Sequence, residues 1–316
     1  MGEKCDRCAP FHYELSFTGC KQCSCSQVGS FDSPPICEPI NGVCRCKANV
    51  EGKNCDRPKH GYFDLSDKHL YGALPCFCYG HSSQCESSNT YVNSIISAEF
   101  NNDLNPHRFK AIDSRGRKVE ITYLPNRNGV SVDILNLSDE TYFLVSEQFL
   151  GNQLYSYNQE FSFDMQILAD QNQVINQNAR PFRRDIILEN SHEKLEVFLS
   201  IHGNSVTSNN QHSLPAFERQ KFTFKLNQYS GWMPALTAFE FQRLLSNLSA
   251  IKIRASYIPM TKTLLSEFQM KSAKLSSSVS YNQAASYIET CKCPIGFTGQ
   301  HCESCAYGYR REPPNG

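Results

Sequence analysis

The middle of this chain alternates. Apolar side chains recur at every second position in Val119, Ile121 and Tyr123; in Val130, Val132 and Ile134; in Phe161, Phe163, Met165 and Ile167. The same holds for Leu195, Val197 and Leu199; for Phe222, Phe224 and Leu226; and for Ile251, Ile253, Ala255 and Tyr257. A period of two over six short runs predicts strands with one buried face. Thr237-Ala238-Phe239-Glu240 has the form of a capping box, and Phe241, Leu244, Leu245 and Leu248 follow it at i, i+3, i+4 and i+7. That stripe predicts a single helix whose Phe/Leu face is core packing. About 200 residues suffice for one hydrophobic core. The predicted fold is mostly β, a jelly-roll-like antiparallel β-sandwich with one short helix lying on or capping the sheet.

Both ends are different in kind. The chain has 16 cysteines and none between Cys85 and Cys291. Their spacing repeats: Cys44-x-Cys46, eight residues, Cys55 recurs as Cys291-x-Cys293, eight residues, Cys302. Cys23-x-Cys25 followed by Cys37 has its counterpart in Cys76-x-Cys78 followed by Cys85, and Cys5-x-x-Cys8 opens the chain as a partial copy. One small module therefore recurs three times. Short segments punctuated by Gly and Pro bury too little surface to hold themselves together, and a staple that restricts the unfolded chain contributes about 2–4 kcal/mol. Disulfides are the natural reading and place the chain in an oxidising compartment. Zinc is the rival, because C-x-x-C occurs at Cys5/Cys8, Cys20/Cys23 and Cys302/Cys305. The C-x-C steps and the long ruler, however, fit no common ligand spacing.

These modules resemble the laminin-type EGF-like repeat. The resemblance implies a pairing of Cys8 with Cys20, Cys23 with Cys37, Cys25 with Cys44, Cys46 with Cys55, Cys76 with Cys85, Cys78 with Cys291 and Cys293 with Cys302. The resemblance places the mates of Cys5 and Cys305 before residue 1 and after residue 316, so these two are expected to be unpaired by truncation. Pro58 and Ala73 stand where the second module should carry its last two cysteines, so one whole bridge is missing. The loop between them is then held by packing, with Tyr62, Phe63, Leu65 and Leu70 as candidates. It is either a mobile or proteolytic point or an ordered loop that never needed the bridge.

A second resemblance covers the cysteine-free stretch. Phe149-Leu150-Gly151-Asn152-Gln153, Ser156-Tyr157 and the run from Pro234 through Tyr257 are similar to laminin domain IV type A. TCKCPIGFTGQHCESC, GYRRE and CFCYGHSS look most like the γ-type laminin subunits. In that family domain IV is inserted within an EGF-like module, which implies that Cys78 and Cys291 join the two ends of the insert and that those ends lie close together. The implied layout is a partial module over 1–22, a module lacking its last disulfide over 23–75, the first part of a split module over 76–85, the domain IV sandwich over 86–290, and the truncated remainder of the split module over 291–316.

Candidate chemistry changes this picture little. Lys plus Arg and Asp plus Glu both total 31, so no global field recruits nucleic acid or an anionic membrane. Arg115-Gly116-Arg117-Lys118 and Arg180-Pro181-Phe182-Arg183-Arg184 are local basic clusters that suit a sulfated glycosaminoglycan, diluted by Asp113, Glu120, Asp185 and Glu189. No H-E-x-x-H, G-x-S-x-G or phosphate-binding glycine loop occurs, and His60, His81, His192, His202 and His212 are scattered among polar residues. Gln22 and Pro75 precede the first cysteines of two modules, so the carboxylates that calcium requires there are missing. No cofactor or metal is expected. Asn247-Leu248-Ser249 and Asn136-Leu137-Ser138 are candidate N-glycosylation sites. Met1 through Cys5 is polar, and no apolar run approaches the roughly 20 residues that span a bilayer, so a monomeric piece of a longer secreted protein is expected.

The resemblance implies a structural segment of a laminin γ-type short arm in the basement membrane, assembled with α and β chains. A carbohydrate- or glycosaminoglycan-binding sandwich is the alternative, on fold alone. An enzyme is the weakest reading, since sequence cannot bring two carboxylates together in a cleft.

Overall fold

The structure is a computed structural model that describes residues 6–100, 108–137, 139–168, 184–201, 218–277 and 283–311. It forms two units, one of Met1–Tyr91 with Ser276–Gly316 and the other of Val92–Leu275.

The larger unit is built on two six-stranded sheets. Its strands are β1 (Tyr91–Ser97, begun in the other unit), β2 (Lys110–Asp113), β3 (Lys118–Val119), β4 (Thr122–Leu124), β5 (Gly129–Ile134) and β6 (Thr141–Leu144). Then come β7 (Glu160–Leu168), β8 (Ile186–Asn190), β9 (Leu195–Leu199), β10 (Gln220–Lys225), β11 (Ala250–Arg254) and β12 (Thr261–Leu275). One sheet has the order β3-β2-β6-β11-β8-β9 and the other β4-β5-β12-β7-β10, with β1 also on β12. Neighbours run antiparallel.

The alternation in β7 does what period two demands: Phe161, Phe163, Met165 and Ile167 are buried while the residues between them are half-exposed. Phe268 of β12 is the hub of the core, with its ring 4.6 Å from Phe149, 5.9 Å from Phe109 and from Phe161, and 6.2 Å from Phe163. The helix α1 (Ala238–Ser246) buries Phe241, Leu244 and Leu245, and Trp232 links Phe241 to Phe161. Its capping box is complete, since Thr237 Oγ1 accepts from Glu240 N at 3.2 Å and Glu240 Oε2 accepts from Thr237 N at 2.8 Å. The backbone N–H of Thr237, then its hydroxyl, hold the Glu240 carboxyl below its ordinary range.

One expectation needs correction. Val119, Ile121 and Tyr123 do not share one strand: β3 and β4 lie in different sheets, so the chain crosses from sheet to sheet at Glu120-Ile121. The longest strand, β12, carries no simple alternation. Thr261, Thr263 and Leu265 are buried, and then the phase flips to Phe268, Met270 and Ser272. Glu267 at the flip has φ 52, and the register against β7 shifts between Ser162 and Asp164. A β-bulge re-aims the second half of the strand so that Phe268 meets the core.

In the smaller unit, the hairpin His12–Ser16/Gly19–Gln22 precedes a compact cluster of Cys37, Cys44, Val50 and Cys55, onto which Tyr13 and Leu65 pack. Gly29 is required there, because a Cβ would stand 2.0 Å from the Cys55 carbonyl oxygen. In the loop between Pro58 and Ala73, Phe63 is buried and Leu65 packs on this cluster, but Leu70 is 68% exposed and holds nothing. Packing is not the loop's whole support. Lys59 N donates to Asn49 O, Ser66 N to Gly72 O, Gly72 N to His69 O, and Asn49 Nδ2 to Ala73 O.

Replacing Phe268 by Ala removes the side chain that four aromatic rings share, and is expected to cost about 3–5 kcal/mol in urea unfolding of the sandwich. Phe239→Ala, on the exposed side of α1, should change it by less than about 1 kcal/mol. The Glu240 contribution is complete above the ordinary carboxylate range and is lost as pH falls through the depressed folded value. The stability gap between wild type and Glu240→Gln should therefore close on acidification.

Candidate functional site

The chain leaves the small modules after Thr90 and returns at Ser276, whose N–H donates to the Thr90 carbonyl at 2.9 Å. Beyond that clasp, Glu289–Cys291 pairs antiparallel with Cys85–Ser87, placing Cys291 opposite Cys85 and Glu289 opposite Ser87. Cys78 is joined to Cys291 across 213 positions with its Cα atoms 5.8 Å apart. Cys76 is joined to Cys85 and Cys293 to Cys302, so one module is assembled from two distant pieces of sequence.

Glu289 sits at the centre of this assembly and is 5% exposed. Its carboxylate accepts from Phe77 N at 2.8 Å, from Cys78 N at 3.0 Å and from His301 Nδ1 at 2.8 Å. One side chain thus ties the turn at Phe77–Cys78, the returning strand and the loop that carries His301. Gln300 adds a second tie: its Nε2 donates to Glu289 O, its Oε1 accepts from Tyr91 OH, and its carbonyl accepts from Cys291 N. His81 stacks on Phe297 with ring centroids 3.9 Å apart. A buried carboxylate is tolerable only when its charge is met by donors, and here two backbone N–H groups and an imidazole supply them. Cys76 and Cys85, or Cys78 and Cys291, lie near Glu289 at distances a metal could use. Their sulfurs are spent in disulfides, so the set offers a carboxylate alone.

The remaining bridges join Cys8 to Cys20, Cys23 to Cys37, Cys25 to Cys44 and Cys46 to Cys55. Cys305 is unbridged, and Cys5 lies outside the described residues. Asn247 is exposed at the C-terminal end of α1; Asn136 is exposed after β5, and its Ser138 lies outside the described residues.

The described arginines of the basic clusters are ion-paired. Arg117 pairs with Asp113 at 2.6 Å and Asp139 at 2.8 Å, Arg115 with Asp139 at 3.2 Å, and Arg184 with Glu196. Burial alone would raise the Asp113 carboxyl, but the Arg117 N–H and guanidinium, with the Arg115 N–H, hold it below its ordinary range. Arg180 and Arg183, like His202 and His212, lie outside the described residues. In the sandwich, Asp185, Arg254 and Tyr257 are at most 1% exposed. Asp185 accepts from Ile201 N, Arg254 reaches Ser256 O and Glu140, and burial followed by the Asp185 charge pushes the Tyr257 phenol up. This cluster is closed to solvent and cross-ties strand ends. The two histidines that matter in the modules, His69 and His301, were not singled out by sequence. Asp64 and His69 stand five residues apart in one loop, but nothing in the sequence near His301 points to Glu289.

The family model for Laminin B (Domain IV) matches residues 142–289, and that for the Laminin EGF domain matches 23–72 and 277–316. The chain is 35% identical to laminin subunit gamma-2 of Equus caballus over 98% of its own length, and 38% identical to laminin subunit gamma-1 of Homo sapiens over 94%. It spans 25% and 20% of those relatives' lengths. The L4b domain of human laminin alpha-2 is similar at 12% identity, covering 58% of this chain and 98% of that domain with a TM-score of 0.41.

Glu289→Ala strands two buried N–H groups and an imidazole. It should destabilise the split module by about 3 kcal/mol, read as faster exchange of the Phe77 and Cys78 amides. Glu289→Gln, which keeps the acceptor and loses the charge, should fall between wild type and Glu289→Ala.

Proposed function

The chain belongs to the laminin family, and from that premise we propose that it serves as a structural segment of a γ-type short arm, secreted into the extracellular matrix and built into the basement membrane. The observation that supports this most is the split module. The single bridge between Cys78 and Cys291, reinforced by Glu289, returns the chain to the modular series at the point where it left. Such a closure lets a sandwich be carried without interrupting the series of stapled modules. The role needs no catalytic group, and we read the segment as a spacer and interaction surface and not as an enzyme. Among the described residues no helix is long and apolar enough to cross a membrane.

The partners in this reading are the α and β chains of a laminin heterotrimer, joined through parts of the subunit beyond these 316 residues. The segment by itself is monomeric. Asn247, exposed beside the C-terminal end of α1, carries an N-linked glycan, and Asn136 a second.

Deleting residues 92–275 from a γ-type chain that contains this segment should leave heterotrimer assembly and secretion intact and remove one globule from the arm in electron micrographs. Loss of the trimer would show instead that the sandwich is an assembly element. For the glycans, enzymatic removal should lower the mass of the secreted segment, and Asn247→Gln should abolish one step of that loss.

A further inference from the structure

The loop from Pro58 to Ala73, where the second module lacks its last bridge, contains a buried polar pair: His69 Nε2–H donates to Asp64 Oδ2 at 2.6 Å, with side chains 5% and 9% exposed. Asp64 sits at φ 51, a left-handed conformation that Asp tolerates better than most residues. That turn directs its carboxylate inward toward His69, which is held by the Ser66 carbonyl on one side and Gly72 on the other. A pair this enclosed is conformationally specific, because any packed arrangement of the loop in which the two part leaves each buried without the other.

The same loop makes the contacts that cross to the following module. Gly61 O accepts from Cys76 N at 2.9 Å, His60 Nε2 meets Ser83 Oγ at 3.0 Å, and Tyr62–Phe63 lies against Cys85–Ser87 as well as pairing with Leu74–Pro75. Tyr287, on the returning segment of the split module, is half-buried, and burial followed by the Asp64 charge pushes its phenol up. One face of the loop is therefore stapled to itself and the other is laid on the split module.

We infer that the loop lacking the disulfide is a module-to-module clamp, in which the Asp64–His69 pair replaces the covalent bridge and fixes the second module against the split one. This goes beyond the spacer reading but does not rest on it, since a clamp between modules would exist in any protein containing them. The pair contains no sulfur, unlike every bridge around it.

The test uses the whole 316-residue chain with spin labels on unnatural ketone side chains at Asp56 in the second module and Asn89 in the split one, both exposed. In the wild type the label-to-label distance distribution should be narrow. His69→Ala should at least double its width and raise exchange at the Ser66 and Gly72 amides by about 100-fold, with all seven bridges intact by mass under non-reducing conditions. Tyr287→Phe, which leaves the loop's own bonds in place, should broaden the distribution without raising that exchange. If His69→Ala frees the loop amides but leaves the distribution narrow, the pair is only a local staple and the clamp is wrong. A broad distribution in the wild type would overturn it as well.

Discussion

The structure depends on one closure. A cysteine-free stretch large enough to own a hydrophobic core must leave a module too small to fold without staples, and must come back to the same place. The Cys78–Cys291 bridge limits how far apart the two ends can drift, and the clasp between Thr90 and Ser276 brings them together again where the insert begins and ends. A crosslink spanning so many residues restricts the unfolded chain strongly, though its effect grows only with the logarithm of loop length. The bridge alone would leave the returning segment free to turn within the split module. Glu289 fixes that segment there, because a carboxylate receiving the Phe77 and Cys78 amides on one side and His301 on the other admits few orientations.

That division explains what could be read from the sequence. Cysteine spacing survives as a pattern because each bridge fixes its own ruler, and alternation in Phe161 through Ile167 survives because the extra residue of the bulge lies on β12, while β7 itself stays in phase and pairs without a break with β10. The capping box at Thr237 is equally local, needing only a residue and its third successor. The long strand β12 was illegible for a physical reason: its bulge at Glu267 exchanges the two faces midway, so Leu265 and Phe268 both point inward although they are three apart. Any search for strict period two rejects such a segment. The crossing between β3 and β4 misled in the opposite direction, with alternation running unbroken through a point where the chain changes sheets.

The buried ionisable groups were the least legible. Glu289 and His301 look like any surface Glu and His in the sequence, and their meaning comes only from a fold that brings residues 77, 78, 289 and 301 within hydrogen-bonding distance. The basic runs are legible in part. Asp113 beside Arg115 and Arg117 is visible in the sequence, but Asp139 is brought to them only by the fold, and each guanidinium then meets a carboxylate. Charge clusters in sequence measure density, whereas recognition depends on what remains unpaired after folding.

The missing bridge of the second module is best understood in the same terms. A disulfide between positions 58 and 73 would act mainly on the unfolded chain, closing a short loop and contributing about 3 kcal/mol. A hydrogen-bonded pair in a dry site acts on the folded chain: it adds little net stability beyond its own desolvation, but it penalises every arrangement in which the two side chains part. Covalent closure says that two points stay near each other; Asp64 and His69 together say which way the loop faces. Where a module has only to persist, the first kind of constraint is enough. Where it has to present Gly61, His60 and Tyr62 to its neighbour in one register, the second kind is the more useful, and this loop has it where the first module has the Cys8–Cys20 bridge.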